Sequence, residues 1–311
     1  MATDVSIVIV SYNSGAFIGD CLESVRAARR TVEQQVIVVD NASKDDGVAR
    51  IRAGFPDVDL LEPGGNLGFA AGVNYGVRHA RGEFVLLLNP DTVLRPGAVD
   101  EIVAFARRHP AQGLYGGRTL RPDRSLEPSS CWGEPTLWSM AMFALGVSTV
   151  FPRNRWLDPE SLGDWQRDTV REVGIISGCF LLVPKAVWDE LGGFDERYFM
   201  YGEDADLAMR ARARGYRPVI CPTAELVHEV GQCSETPVHK SLLLYRGKAS
   251  LVRTHWRGAE RWLGLFFLAA GTGLRAALAR LSTRTGVDRW QTLWRQRAVW
   301  LKGYDGPGVL P

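Results

Sequence analysis

With 311 residues, 46% of them apolar, the chain can bury one large core or a domain with an extension, which excludes a disordered or fibrous protein. Five cysteines (Cys21, Cys131, Cys179, Cys221, Cys233) are odd in number and lack CxxC or zinc-ribbon spacing, which speaks against a disulfide framework and structural zinc and fits a reducing cytoplasm. The formal charge of +2 hides an asymmetry: residues 246–302 hold twelve Lys or Arg against Glu260 and Asp288, a net of about +10 on an acidic body, and such a segment suggests an anionic surface, phospholipid or nucleic acid.

The run "VSIVIVSYN" (5–13) is β-branched and reads as a buried parallel strand ending in a polar loop. Its apolar stretch, Val5 to Val10, follows no basic segment and is too short for a signal peptide. Phe17, Cys21, Leu22 and Val25 stand at helical spacing within 15–30, and Arg29 and Arg30 suit the C-terminal end of that dipole. "QVIVVDNAS" (35–43) repeats the strand design and stops at Asp40; "VDLLEP" (58–63) is a third candidate. A glycine-rich turn then leads into a helix over about 69–80, and "FVLLLNPDT" (84–92) is a fourth strand, after which Asp91 or Thr92 could start a helix at Pro96.

From about 118 to 172 the pattern is irregular and rich in Pro, Trp and Arg, an excursion that compact domains keep for binding. "EVGIISGCFLLVPKAVWDELGGFDE" (172–196) reads as a strand, a turn at Pro184 and a helix closed by Gly192 and Gly193. Ala205 to Arg214 forms a helix, Gly215 ends it, and Val219 and Ile220 begin a strand. This alternation predicts an α/β sheet, largely parallel, with helices on both faces.

In such sheets ligands sit beyond the carboxyl ends of the strands, where Asp40 and Asp91 fall. A second acidic cluster comprises Glu203, Asp204 and Asp206. Each acid alone is explained as well by helix capping or by a favourable place in a first helical turn. Together they match the needs of sugar transfer from a nucleotide: one acid for the nucleoside, one for a cation that neutralises the leaving diphosphate, one for the acceptor's proton. The stretch "GGNLGFAAGVNYG" (64–76) is neither a Walker loop nor a clean GxGxxG, so an ATPase or dehydrogenase is set aside.

The blocks "VSIVIVSYNS", "VIVVDNASKD", "NLGFAAGVNYG", "ARGEFVLLLNPDT", "SGCFLLV", "LGGFDERYFMYGEDADLAMRARARGY" and "VHEVGQCS" run in this order over about 4–235. They resemble inverting family 2 glycosyltransferases of the GT-A fold, especially the rhamnosyltransferase-like branch. The resemblance implies that Ser11, Tyr12, Asn13 and Asp40 contact the nucleotide of the donor. "NPD" stands where the family's DxD stands, with Asn89 in place of the first acid, making Asp91 the principal ligand of a divalent metal, Mn²⁺ or Mg²⁺. In "GEDAD", Asp204 corresponds to the catalytic base and Glu203 to the neighbour that helps place the acceptor. His228 resembles a histidine that completes the metal shell in some members; a structural histidine is the other reading. Asn66 and Asn74 are donor-site candidates, and Ser177, Gly178 and Asp206 are expected near the donor sugar or acceptor. The implied donor is a nucleoside-diphosphate sugar (dTDP-rhamnose or a UDP-sugar), and the implied acceptor is lipid-linked or a polysaccharide, in cell-envelope glycan synthesis.

Residues 1–240 are thus expected to form the catalytic domain and 241–311 a basic helical extension with Trp256, Trp262, Trp290, Trp294 and Trp300. "WLGLFFLAAGTGLRAALARL" (262–281) has about twelve mostly apolar residues before Arg275, short of the ~20 needed to span a bilayer. It is expected to lie on the inner face of the cytoplasmic membrane, with Arg275, Arg280 and Arg284 at lipid phosphates. The alternative is packing on the catalytic domain or on a second copy as a homodimer. No recognised nucleic-acid module accompanies the charge. Two other functions compete: a non-catalytic module that binds nucleotide sugar or glycan at a membrane, and a sugar nucleotidyltransferase, which would need a basic phosphate loop that "VSYNSGAF" lacks.

Overall fold

All seven residues of β1 (Val5–Ser11) are buried, and alternate positions feed two different cores. Val5, Ile7 and Ile9 pack on one face with Ile18, Cys21 and Val25; Val8 and Val10 pack on the other with Ala70 and Val73. A strand covered on both sides needs this unbroken β-branched run, because successive side chains point to opposite faces.

The computed structural model describes residues 3–228, 237–281 and 287–306; Glu229 to Ser234, with Cys233, and Arg284 lie outside them. After β1 the chain forms α1 (Ile18–Ala28), β2 (Gln34–Asp40), α2 (Gly47–Gly54), β3 (Asp59–Leu61), α3 (Gly68–Val77) and β4 (Phe84–Leu88). Next come β5 (Thr92–Leu94), α4 (Ala98–Arg108), β6 (Tyr115–Leu120), β7 (Cys131–Trp132), α5 (Leu137–Ala144), α6 (Val147–Val150), β8 (Arg171–Glu172) and β9 (Ile175–Ile176). Then β10 (Phe180–Pro184), α7 (Lys185–Leu191), α8 (Glu203–Ala213) and β11 (Val219–His228) complete the sheet, and α9 (Pro237–His255), α10 (Gly258–Ala279), α11 (Val287–Arg295) and α12 (Arg297–Trp300) follow.

The sheet runs β3-β2-β1-β4-β10-β6-β11-β5, with β8 beside β11. Its first four strands are parallel, as the alternation predicts. β10 enters antiparallel between β4 and β6, so the α/β sheet is mixed. The single strand expected over 84–92 divides: β4 stops at Leu88, and β5 pairs antiparallel with the end of β11. Thr92 therefore opens a strand, and the residue capping α4 is Gly97. The expected strand after 172 also divides, with Ser177 to Cys179 forming a turn between β9 and β10. The excursion from 118 to 172 contains α5, α6 and a small β7–β9 sheet. Both glycines that close α7 are left-handed, Gly192 at φ 76° and Gly193 at φ 70°.

A third core joins Met140 of α5 to Ala249, Val252, Trp256, Leu265, Leu268, Leu293 and Trp300. α10 is 22 residues long and, by length and composition alone, apolar enough to cross a membrane, so the helix outruns the apolar stretch seen in the sequence. Its inner face is committed to the third core, while Trp262, Phe266 and Leu278 are exposed. Arg275, expected at lipid phosphates, instead donates to the carbonyls of Phe143 and Gly271 and to Thr149 Oγ1, with its guanidinium 4.0 Å from the Phe143 ring centroid. It fastens α10 to α5 and α6. Trp256 and Trp300 are likewise buried and not free for an interface.

α9 also crosses the turn that precedes α8. Gly202 holds φ at 107° there, and a Cβ on Gly247 would overlap the Tyr201 carbonyl oxygen. Gly247→Ala is expected to destabilise the protein by about 1–3 kcal/mol through overpacking. A thermal melt identical to wild type would show that this close approach does not matter.

Candidate active site

The register of the sheet gathers distant residues at one edge. Ser11 pairs with Asp40, Ile9 with Leu88, Phe180 with Leu88, and His228 with Thr92. The ends of β1, β2, β4 and β11 and the start of β10 therefore meet there, where α/β sheets bind ligands.

At one end of this edge the loops after β1 and β2 brace each other. Asn13 is left-handed at φ 51°, a conformation Asn tolerates. Its Oδ1 accepts the Lys44 N–H at 2.8 Å, and its own N–H donates to Ser43 Oγ at 2.9 Å. Asp40 Oδ2 accepts the Ser43 N–H at 3.0 Å, closing the same turn. Ser11 and Asp40 are buried and Tyr12 is half-buried.

Where β5 meets β11, His228 Nε2 donates to Asp91 Oδ1 at 3.1 Å, with both side chains buried. Burial works against charge on His228, but the hydrogen bond it donates to Asp91, with Cys179 beside it, prevails and raises its pKa to about 10. The pair fits a divalent cation by its spacing: their 3.1 Å separation is close to the ~3 Å between neighbouring ligands that each lie about 2.1 Å from one octahedral ion. His228 Nδ1, turned away from Asp91, is buried without a hydrogen-bond partner among the described residues. No group of three His, Cys, Asp or Glu suited to a metal occurs among the described residues, so the rest of a shell would come from phosphate and water.

The acid pair opens α8. Asp204 is half-buried; its Oδ1 accepts the Ala205 N–H at 2.8 Å and its Oδ2 the Gly178 N–H at 3.4 Å. Burial raises its pKa, with those N–H groups partly opposing. Glu203 is fully enclosed; burial first, then the charges of Asp204 and Asp206, push it well above the usual carboxylate range. Of the two, Glu203 is pushed further toward its neutral form, which favours leaving the pair's negative charge on Asp204. The Asn89–Asp91 loop and the acid pair meet at one turn: the Asn89 N–H donates to the Cys179 carbonyl at 3.3 Å, and the preceding residue, Gly178, donates to Asp204.

Two expected contacts fall elsewhere. Asp206 points away from the cleft: Arg210 Nε donates to Oδ2 and His255 Nε2 contacts Oδ1, each at 2.7 Å, and the side chain is 1% exposed. Residues two apart on a helix face nearly opposite sides, so Asp204 and Asp206 cannot serve one ligand. Asn74 Nδ2 donates to the Phe194 carbonyl and its Oδ1 accepts the Phe194 N–H, tying α3 to the turn after α7. Asn66 Oδ1 accepts the Gly68 N–H at 2.9 Å and opens α3. Asn41 was not singled out, although it follows Asp40. Its Nδ2 donates to the Gly68 carbonyl at 2.9 Å and its buried Oδ1 lacks a partner among the described residues. A polar residue immediately after an apolar strand was the available signal. The four described cysteines are free thiols.

Comparison with known proteins agrees with this fold. The model of Glycosyl transferase family 2 matches residues 6–165. An N-acetylglucosaminyl-diphospho-decaprenol L-rhamnosyltransferase of Mycobacterium tuberculosis is 32% identical over 307 residues, covering 91% of this chain and 97% of the relative. Rhamnosyltransferase WbbL of Escherichia coli is 27% identical over 72% of this chain and 83% of its own. Among solved structures, mannosyltransferase PcManGT from Pyrobaculum calidifontis, in complex with GDP-Man and Mn²⁺, superposes with a TM-score of 0.57 at 19% identity, covering 97% of this chain and 86% of that one. It shares the GT-A fold. From the matched family model and the near full-length relative together, the chain belongs to glycosyl transferase family 2, in its rhamnosyltransferase-like branch.

Proposed function

We propose that the protein is an inverting glycosyltransferase that moves rhamnose from a nucleoside-diphosphate donor, dTDP-rhamnose, to a hydroxyl of a lipid-linked acceptor at the cytoplasmic face of the membrane. The observation that carries this reading is the single turn Gly178–Cys179, which links the Asn89–Asp91 loop to Asp204. A cation would be held by Asp91 and His228; when bound it neutralises charge on the departing diphosphate. Asp204 accepts the proton of the acceptor hydroxyl as that oxygen bonds to the anomeric carbon. The bond from that carbon to the diphosphate breaks, and the nucleoside diphosphate leaves with the electron pair. Glu203, neutral beside it, leaves the negative charge on Asp204. Ser11, Tyr12, Asn13 and Asp40 border the nucleotide, Asn89 lies by the phosphates, and Ser177 and Gly178 line the sugar's place. The relative that acts on a diphospho-decaprenol substrate supports the acceptor class, and the exposed face of α10 supports a membrane setting.

A donor panel in a thermal-shift assay, with and without Mn²⁺, tests this. A donor at 100 times its Kd should stabilise the protein by about 2.7 kcal/mol. Asp91→Ala should remove the Mn²⁺-dependent part; a full Mn²⁺ response in that variant would discard the metal assignment.

A pH profile adds a second check. Transfer requires ionised Asp204, so kcat/KM should fall as pH drops through its raised pKa, with the acid limb above the ~3.9 of an ordinary aspartate. The sign for stability is opposite, because protonation relieves the cost of a buried charge. An acid limb at or below ~3.9 would contradict Asp204 as the base.

A further inference from the structure

Between α6 and β8 lies an open surface cleft of about 1000 Å³ whose lining includes Val150, Phe151, Arg153, Arg155, Trp165 and Arg171. Asp164 is the one acid in that lining, against three arginines. It approaches Arg153 only to 3.9 Å with both side chains well exposed, a contact worth little. The planar heads of Arg155 and Arg171 lie over indole rings, 4.9 Å from the Trp156 centroid and 5.0 Å from that of Trp165. Stacking orients a guanidinium while leaving its edge N–H groups free to donate. Behind the wall Arg167, 1% exposed, is held by the carbonyls of Trp165 and Ser161, and its Nε lacks a partner among the described residues. Positive charges gathered this way repel one another unless an anion joins them, and paired guanidiniums match phosphate oxygens in geometry.

The rim is of the opposite character. Val150 is 70% exposed, Phe151 52% and the adjacent Trp156 66%, an unusual density of apolar surface beside a cationic cleft. A ligand that satisfies both halves carries phosphate on a hydrocarbon tail. The cleft also lies level with the reacting edge: Arg171 pairs with Ile220, Ile220 with Gly116, Gly116 with Leu181, and Leu181 with Leu87 near the end of β4. β8 is three strand spacings from β10, on the order of 14 Å.

We propose that this cleft binds the diphosphate of the lipid-linked acceptor, with Arg153, Arg155 and Arg171 on the phosphates and Val150, Phe151 and Trp156 against the start of the polyprenyl chain. The inference rests on the acceptor class proposed above and adds the residues that select it. The test uses the full chain in neutral detergent with Arg155→Ala/Arg171→Ala, and with the exposed charge reversal Arg155→Glu as a second variant. Two acceptors are compared: a polyprenyl-diphospho-N-acetylglucosamine, and an alkyl N-acetylglucosaminide that lacks phosphate. The expected result is a tenfold or greater rise in KM for the diphosphate acceptor, with KM for the donor and for the alkyl glycoside unchanged. Farnesyl diphosphate, which needs no sugar, should raise the melting temperature of wild type more than that of either variant. Equal KM changes for both acceptors, or equal farnesyl diphosphate responses, would overturn the proposal. So would an effect seen only on phosphatidylglycerol vesicles, which would assign the arginines to bulk phospholipid. If wild type binds farnesyl diphosphate through these arginines yet glycosylates neither acceptor, the acceptor reading fails while the anion site stands.

Discussion

Asp204→Asn is expected to lower kcat by about 10²–10⁴-fold, the range for loss of a positioned general base, while leaving donor affinity near wild type. The amide oxygen can still accept from one of the two N–H groups, Ala205 or Gly178, that each hold one carboxylate oxygen, and keeping the shorter Ala205 bond at 2.8 Å would leave the start of α8 in place. What disappears is basicity. Stability should not drop, because burial raises the Asp204 pKa, so its charge costs the folded state free energy rather than contributing any. Glu203→Gln makes the complementary case: Glu203 is driven toward its neutral form, which a glutamine resembles, so the loss should be a small fraction of that at Asp204. Single-turnover kinetics with saturating donor would separate the two. Wild-type turnover in Asp204→Asn, or an equal collapse of donor binding, would remove the base assignment.

The parallel half of the fold was legible because burial on both faces forces a visible pattern. Val5 to Val10, Val36 to Val39 and Phe84 to Leu88 are runs that only a doubly covered strand accommodates, and the polar residues that end them mark the ligand edge. The antiparallel half left a weaker trace. β5 is three residues long and owes its pairing to β11, more than a hundred residues later, a partner that local propensity cannot reveal. The turn at Ser177 to Cys179 was hidden in a continuous apolar run, since strand interruption by a small residue resembles strand continuation. At the site, carboxylates at element ends were readable as candidates, but which way each points was set by packing. Asp91 meets His228 because β5 and β11 pair. Asn74 is consumed by the backbone of Phe194, 120 residues away.

Asp206→Ala tests the largest structural consequence of that packing. This carboxylate, 1% exposed, joins two helices: it lies on α8, takes a hydrogen bond from Arg210 one turn along the same helix, and meets His255 at the end of α9. Arg210 in turn donates to the carbonyls of Leu191 and Gly193, where α7 ends. Removing the acid leaves a half-buried guanidinium and a half-buried imidazole without their shared partner, and since only the acid is fully buried the cost should lie at or below the lower end of the ~3–5 kcal/mol typical of breaking a buried pair. The expected result is a large fall in melting temperature. Asp206→Asn should recover part of it, since the amide oxygen can still accept one of the two bonds. The same substitution separates structure from chemistry at the "EDAD" segment. Below its lowered melting temperature, Asp206→Ala should retain most of its kcat, because its side chain faces α9 while that of Asp204 faces Gly178. A variant that melts like wild type but loses turnover as completely as Asp204→Asn would return Asp206 to the substrate side and would contradict the packing of α9 against α8.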